Sequence, residues 1–196
     1  FNRGQLGENI ACVTAANYAG GRKAAEFLMA GGHKRIAHIS GWQKSLNGQQ
    51  RQAGFIDYLK ENGLTPLACL DGGFNRDKAA QATRDLFDRD EKPDAIFVGN
   101  DHMAFAVLET LKIELGLKVP EEVSVIGYDD VQMAGWKTHS LTTLRQPANR
   151  MVEATTTMLL EMIDQPTTER KKIEIDSELI IRGSARIPQD WSEKTK

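Results

Sequence analysis

Cysteine is nearly missing from this sequence: its 196 residues include two, Cys12 and Cys69, far apart and without C-x-x-C spacing. That excludes a disulfide framework and a cysteine-built zinc site, and the two thiols are expected to be reduced or merely packed. Basic residues do not accumulate either. The formal net charge is -2, and the densest basic cluster, Arg170-Lys171-Lys172, is three residues long and reads as a solvated face. Binding a phosphate backbone needs clustered Lys and Arg, so no nucleic-acid surface is expected within these residues. No apolar run approaches the roughly 18 residues of a membrane span, so no membrane partner is expected. Catalytic signatures are absent as well. There is no G-x-S-x-G, no P-loop and no H-E-x-x-H, and "YAGGRKAA" (18–25) lacks the spacing of a dinucleotide fingerprint. Neither an enzyme, a cofactor nor a metal ion is indicated. The chain opens on Phe1, with no initiating Met and no signal-peptide pattern, and is expected to be a piece of a longer protein.

What is present is ordinary for a soluble globular protein, 40% hydrophobic and 27% charged, with length enough to bury a core. Short apolar runs alternate with amphipathic stretches. "RIAHIS" (35–40), "PLACL" (66–70), "DAIFVG" (94–99), "VSVIGY" (123–128) and "LTTLRQP" (141–147) read as strands. Helices are expected over about 19–30, 48–62, 77–89, 102–115 and 147–163, with Gly31-Gly32, Gly63 and Gly116 as stops. The last helix carries Met151, Thr155, Met158 and Met162 along one stripe. "KIEIDSELIIRGSA" (172–185) reads as extended chain, and the polar tail as frayed. This alternation implies an α/β fold, with parallel sheets covered by helices on both faces. Right-handed crossovers place all the strand-to-helix turns on one edge, and ligands of such sheets bind there.

That rule nominates the residues just after each strand. After "RIAHISG", Asn47 and Arg51 lie four apart on one helix face. The arginine's planar fork suits hydroxyls or a carboxylate, although an exposed Arg51 with Asn47 as N-cap reads as well. Asn100 and Asp101 follow "DAIFVG"; Asp101 fits an N-cap, and Asn100 has an amide that both donates and accepts. Phe74, in the "DGGFN" loop, could stack on a flat ligand or cover core. The strand in "VPEEVSVIGYDD" (119–130) runs directly into Asp129 and Asp130. Two carboxylates invite a metal or acid–base reading, but no His, Cys or Glu stands nearby to complete a set, and His139 is isolated. A carboxylate that accepts hydrogen bonds from ligand hydroxyls, opposite an arginine, is the sharper alternative.

Taken in order, "GGHKRIAHISG", "RQAGF", "DAIFVGNDHMAFAVLETL", "LGLKVPEEVSVIGYDD", "LTTLRQP" and "SELIIRGSA" resemble the effector-binding core of the lactose-repressor/purine-repressor (LacI/GalR) family of bacterial transcription regulators. The likeness covers about residues 1–187. "VTAAN" (13–17) departs from the family's V-x-x-D-N, with Ala16 in place of the usual acid. The resemblance implies a periplasmic-binding-protein-like fold: two α/β subdomains joined by three crossovers, with a ligand between them. It divides the chain at 1–13 (end of the N-terminal subdomain), 14–145 (C-terminal subdomain), 146–174 (return to the first), 175–187 (final strands of the second) and 188–196 (flexible tail).

The same resemblance makes Arg51 the ligand-gripping arginine and Asp129 its partner. Phe74 becomes the cleft aromatic, Asn100 the amide beside it and Gln146 the crossover residue near the ligand. Asn47 and Ser45 take weaker polar positions, and Ala148 stands where a larger residue is usual. Phe105, Met133 and Trp136 are implied to lie on a homodimer face as exposed residues. The implied partners are a small sugar-like effector, a second copy of the chain, and operator DNA through an upstream helix-turn-helix outside this chain. The implied compartment is the cytoplasm. A periplasmic sugar-binding protein of a transport system and a sugar- or nucleotide-converting enzyme are the rival readings.

Overall fold

A computed structural model describes residues 11–165, 171–189 and 191. Its centre is a six-stranded sheet in the order β3-β2-β4-β5-β6-β8. The strands are β2 (Ile36–Ser40), β3 (Ala68–Asp71), β4 (Ala95–Val98), β5 (Ser124–Asp129), β6 (Thr142–Arg145) and β8 (Glu178–Ile180). All neighbours run parallel except β8, which pairs antiparallel with β6 at the edge. A separate two-stranded parallel sheet joins β1 (Cys12–Ala15) to β7 (Lys172–Ile175). β1 runs two residues past position 13, and β7 one past 174, before the chain passes into the other sheet.

The central strands are buried on both faces, and their side chains sort by the two-residue period of a strand. Ala95 and Phe97 of β4 face the cluster under α1 (Asn17–Ala30) and α2 (Leu46–Glu61), which includes Phe27, Leu28, Phe55 and Leu59. Ile96 and Val98 face the opposite cluster, under α3 (Arg76–Phe87) and α4 (Asp101–Glu109), with Ala82, Leu86, Met103 and Leu108. Each of the large side chains contributes about 1.5–3 kcal/mol by leaving water. α4 continues as a π-helical segment, Thr110–Glu114. The small sheet is covered by α5 (Ala148–Asp164), whose stripe Met151, Met158 and Met162 packs on Val13, Ala15 and Ile175.

Local signals explain the helix ends, with two corrections. Ser45, not Asn47, caps α2: its backbone is extended and its hydroxyl accepts Gly48 N–H at 3.5 Å. Asn100, not Asp101, caps α4 and accepts Met103 N at 3.0 Å, because β4 delivers Asn100 in extended conformation and Asp101 already lies in the first turn. Gly32, at φ +81°, ends α1 in the left-handed region. The expected frayed tail is corrected at Trp191. That side chain is 5% exposed and meets the Phe27 ring edge-on at 4.9 Å, since a surface indole gains more by covering the α1 core than by solvation. The rest of the tail beyond Trp191 lies outside the described residues, as does Arg170 of the basic cluster.

The strand order reverses between β2 and β4, where successive connections leave in opposite directions. Such a switch point opens a crevice beyond the carboxyl ends of the strands.

Candidate functional site

The chain leaves β2 through Gly41 and β4 through Gly99, and the two turns almost touch: a Cβ on Gly99 would lie 2.8 Å from Gly41 N. Arg51, on the second turn of α2, reaches into this junction and is 3% exposed. Its Nε donates to Asn17 Oδ1 at 2.8 Å, and its Nη1 to the Gly99 carbonyl at 2.7 Å. The guanidinium lies 3.5 Å from the centre of the Tyr128 ring, in cation–π geometry. Its Nη2 is 3.7 Å from Asp129 Oδ1, an ion pair rather than a hydrogen bond. Arg51 is therefore not the exposed helix arginine of the bland reading. Its remaining N–H groups face Asp129 across the mouth of the crevice.

Burial at this depth needs close helix packing. A Cβ on Gly21 would collide with the Arg51 carbonyl, and one on Gly54 with the Tyr18 carbonyl. These glycines let the backbones of α1 and α2 touch, which brings Asn17 under Arg51. Asn17 is itself held, with Nδ2 donating to the Ala15 carbonyl at 2.9 Å so that Oδ1 is left for the arginine.

Opposite Arg51, β5 ends in a backbone that separates its two carboxylates. Asp129 has φ +119° and Asp130 φ +58°, positions that cost on the order of 1–3 kcal/mol each for a residue with a Cβ. Asp129 turns towards Arg51 and accepts Gln146 Nε2 at 2.5 Å. Burial raises its carboxyl above the ordinary range, opposed by Arg51, by the Gln146 hydrogen bond and by His102 at the start of α4. Asp130 turns away and pairs with Arg145 Nε and Arg182 Nη2, both at 2.7 Å, tying β5 to the edge of β6 and to the chain after β8. The charged end of β5 thus splits into one carboxylate that faces the crevice and one that is structural.

Asp101 is wholly buried beside them. It accepts Val131 N at 2.9 Å and Thr143 Oγ1 at 2.6 Å, and burial pushes its carboxyl up to about 7. Phe74 sits at φ +56° with its ring against Gly41, where a Cβ would strike it, and is 37% exposed. Trp42, one residue beyond Gly41, is 54% exposed.

The edge thus brings together Arg51, Asp129, Gln146, Asn100, Phe74 and the Ser45–Asn47 start of α2. Asn100 spends its oxygen on the cap, and Ser45 its hydroxyl. Sequence patterns passed over Asn17, Tyr128 and Trp42, although "VTAAN" and "VIGY" carry the first two in plain view. Among the residues expected on a dimer face, Phe105 is not exposed. It is 2% accessible, because α4 turns it into the core, 4.3 Å from the His139 ring. Met133 is half-buried, and Trp136 is 51% exposed.

A family model described as "Periplasmic binding protein-like domain" matches residues 25–185. The HTH-type transcriptional repressor PurR of Photobacterium profundum is 32% identical over 169 residues, which are 85% of this chain and 50% of that protein. The chain belongs to the LacI/GalR family. Solved LacI/GalR structures superpose closely. A transcriptional regulator CelR–cellobiose complex matches with TM-score 0.84 and 34% identity over 91% of this chain and 55% of that one. A Lac repressor dimer bound to operator and the anti-inducer ONPF matches with TM-score 0.83 and 28% identity, over 90% and 61%. The chain spans about half the length of the curated LacI/GalR relatives it matches. They are named as repressors and regulators, which disfavours both the transport and the enzyme readings of the sequence.

Proposed function

We propose that this chain senses a small hydroxylated ligand in the crevice and passes its occupancy to an operator-reading domain upstream, within a cytoplasmic homodimer. The observation that carries the reading is the pairing of Arg51 with Asp129 at the sheet's switch point. A buried guanidinium with N–H groups to spare faces a carboxylate at 3.7 Å, a separation too long for a hydrogen bond and suited to hydroxyls that accept from one side and donate to the other. The family supports it: one relative is solved with cellobiose and another as a dimer on operator. Asn100, Gln146, Phe74, Asn47 and Ser45 line the ligand's other sides in this reading. The C-terminal subdomain comprises the six-stranded sheet, and β1, α5 and β7 belong to the N-terminal one. Met133 and Trp136 lie on the dimer face.

The ligand acts by binding one arrangement of the two subdomains better than the other, and that difference in affinity sets the size of the response. Arg51→Ala in the full-length protein is expected to abolish the effector's influence on operator binding while sparing operator binding itself, measured by fluorescence anisotropy. Effector affinity that survives the substitution undiminished would refute the assignment.

A further inference from the structure

We infer that Lys23 is a positioning residue for Arg51. It clamps the crossing between β7 and β8 onto α1, so that this crossing, the one after β1 and α1 itself move as one piece beneath the guanidinium.

The chain crosses between the two sheets three times: after β1, after β6, and between β7 and β8. The first and third crossings meet each other, with Ala16 N donating to the Ile175 carbonyl at 2.9 Å. Both are also fastened to α1. Asn17, its first residue, donates back to the Ala15 carbonyl and accepts from Arg51 Nε. Further along the same helix, Lys23 Nζ donates to Asp176 Oδ1 at 3.1 Å, to Asp176 Oδ2 at 2.9 Å and to the Ser177 carbonyl at 2.7 Å. Those bonds occupy every proton of the ammonium. The second crossing differs. Gln146 is bonded to Asp129, but among the described residues no hydrogen bond ties Pro147, Ala148 or Asn149 to the larger sheet. The same three residues share the lining of a cavity of about 310 Å³ with Asp176 and Glu178. Room for the sheets to shift is concentrated there.

From Lys23 the hold reaches the crevice floor in two steps. Ser177 is fully buried, and its hydroxyl meets that of Tyr128 at 3.0 Å. The Tyr128 ring, 3.5 Å from the Arg51 guanidinium, is wedged against α1: a Cβ on Gly20 would lie 2.7 Å from its oxygen. The Lys23 side chain is 30% exposed and that of Asp176 65%. An ion pair so exposed contributes little by itself and is screened by salt. The grip therefore belongs to the bond on the Ser177 carbonyl, which is charge-assisted and partly buried.

The test is hydrogen exchange on the full-length protein without ligand, by mass spectrometry for the backbone and by NMR for the Arg51 Nε–H. Lys23→Met keeps the aliphatic stem and removes the charge and its donors. It should speed exchange about tenfold around Ala16, across 172–180 and at the Arg51 Nε–H, while β4 keeps its wild-type rates. Lys23→Arg still reaches Asp176 and the Ser177 carbonyl, and should restore most of the protection. Asp176→Asn should have a smaller effect than Lys23→Met, because the bond to Ser177 remains. Wild-type rates in Lys23→Met at all three places would overturn the inference, since the crossing would then be held without the lysine. So would a uniform rise that includes β4, which marks a contribution to global stability alone, or an Asp176→Asn effect as large as that of Lys23→Met. Because no ligand enters the measurement, its outcome is independent of whether effector binding survives Arg51→Ala.

Discussion

At the residue scale, Asp101 makes a pH-dependent contribution whose sign is the reverse of an ordinary paired carboxylate. Burial is its largest influence and lifts the folded value from 3.8 to about 7, against the hydrogen bonds from Thr143 and Val131. The folded state therefore holds the proton more tightly than the unfolded chain does. Stability is greatest below the unfolded value and declines as pH rises from about 4 towards 7. At about 1.4 kcal/mol per pH unit, the loss reaches a few kcal/mol at most. Asp101→Asn should flatten that slope, read as urea midpoints between pH 4.5 and 8. A mutant curve parallel to wild type would place the slope elsewhere. The edge rule nominates Asp129, the last residue of β5, and Arg51, on the helix that follows β2; position alone leaves Arg51 readable as an exposed helix residue, and its pairing with Asp129 is what the family resemblance adds. Asn17 and Tyr128 were not legible in the sequence, since the Arg51–Asn17 bond joins residues 34 apart and no single-element pattern reports such a meeting. The capping roles of Ser45 and Asn100 went to the wrong neighbour because a cap depends on which residue is still extended, a matter of a single position.

At the scale of elements, the α1–α2 contact decides whether the crevice has an arginine at all. Alanine normally helps a helix by up to about 1 kcal/mol over glycine. At Gly54 the sign reverses, because the new methyl would meet the Tyr18 carbonyl. Gly54→Ala should destabilise the protein by about 1–3 kcal/mol through overpacking and, by prising α2 from α1, loosen the Arg51–Asn17 bond. Chemical denaturation measures the first effect and ligand titration the second; a stabilised mutant would show that the helices can part freely. The alternation of strands and helices was readable because each central strand is apolar on both faces. The separate sheet of β1 and β7 was not readable from local pattern, since "KIEIDSELII" looks like one extended run. The break at Asp176-Ser177 exists because those residues are fastened elsewhere: Lys23 Nζ donates to Asp176 Oδ2 at 2.9 Å and to the Ser177 carbonyl at 2.7 Å.

At the scale of the whole molecule, three passages connect the two sheets, and each is fastened to a different member of the site. Asn17, just after β1, holds Arg51. Gln146, just after β6, holds Asp129. Ser177, between β7 and β8, meets the Tyr128 hydroxyl at 3.0 Å, beneath the Arg51 guanidinium. The Tyr128–Ser177 bond is buried and contributes about 1 kcal/mol. Ser177→Ala should therefore leave ligand affinity nearly unchanged while altering, by about fivefold, the ratio of operator affinities with and without effector. An unchanged ratio would mean that this third fastening bears no load. The overall architecture was legible through the ordered family strings, whereas Trp191 was not, because one indole in a polar tail gives no period to read.

The convergence of the passages has a mechanical consequence. The crevice floor and the joint between the sheets are built from the same atoms, with Asn17, Gln146 and Ser177 as short struts between them. Under the proposed reading, a ligand seated there would bear on the joint directly, with no relay of intervening elements to cross.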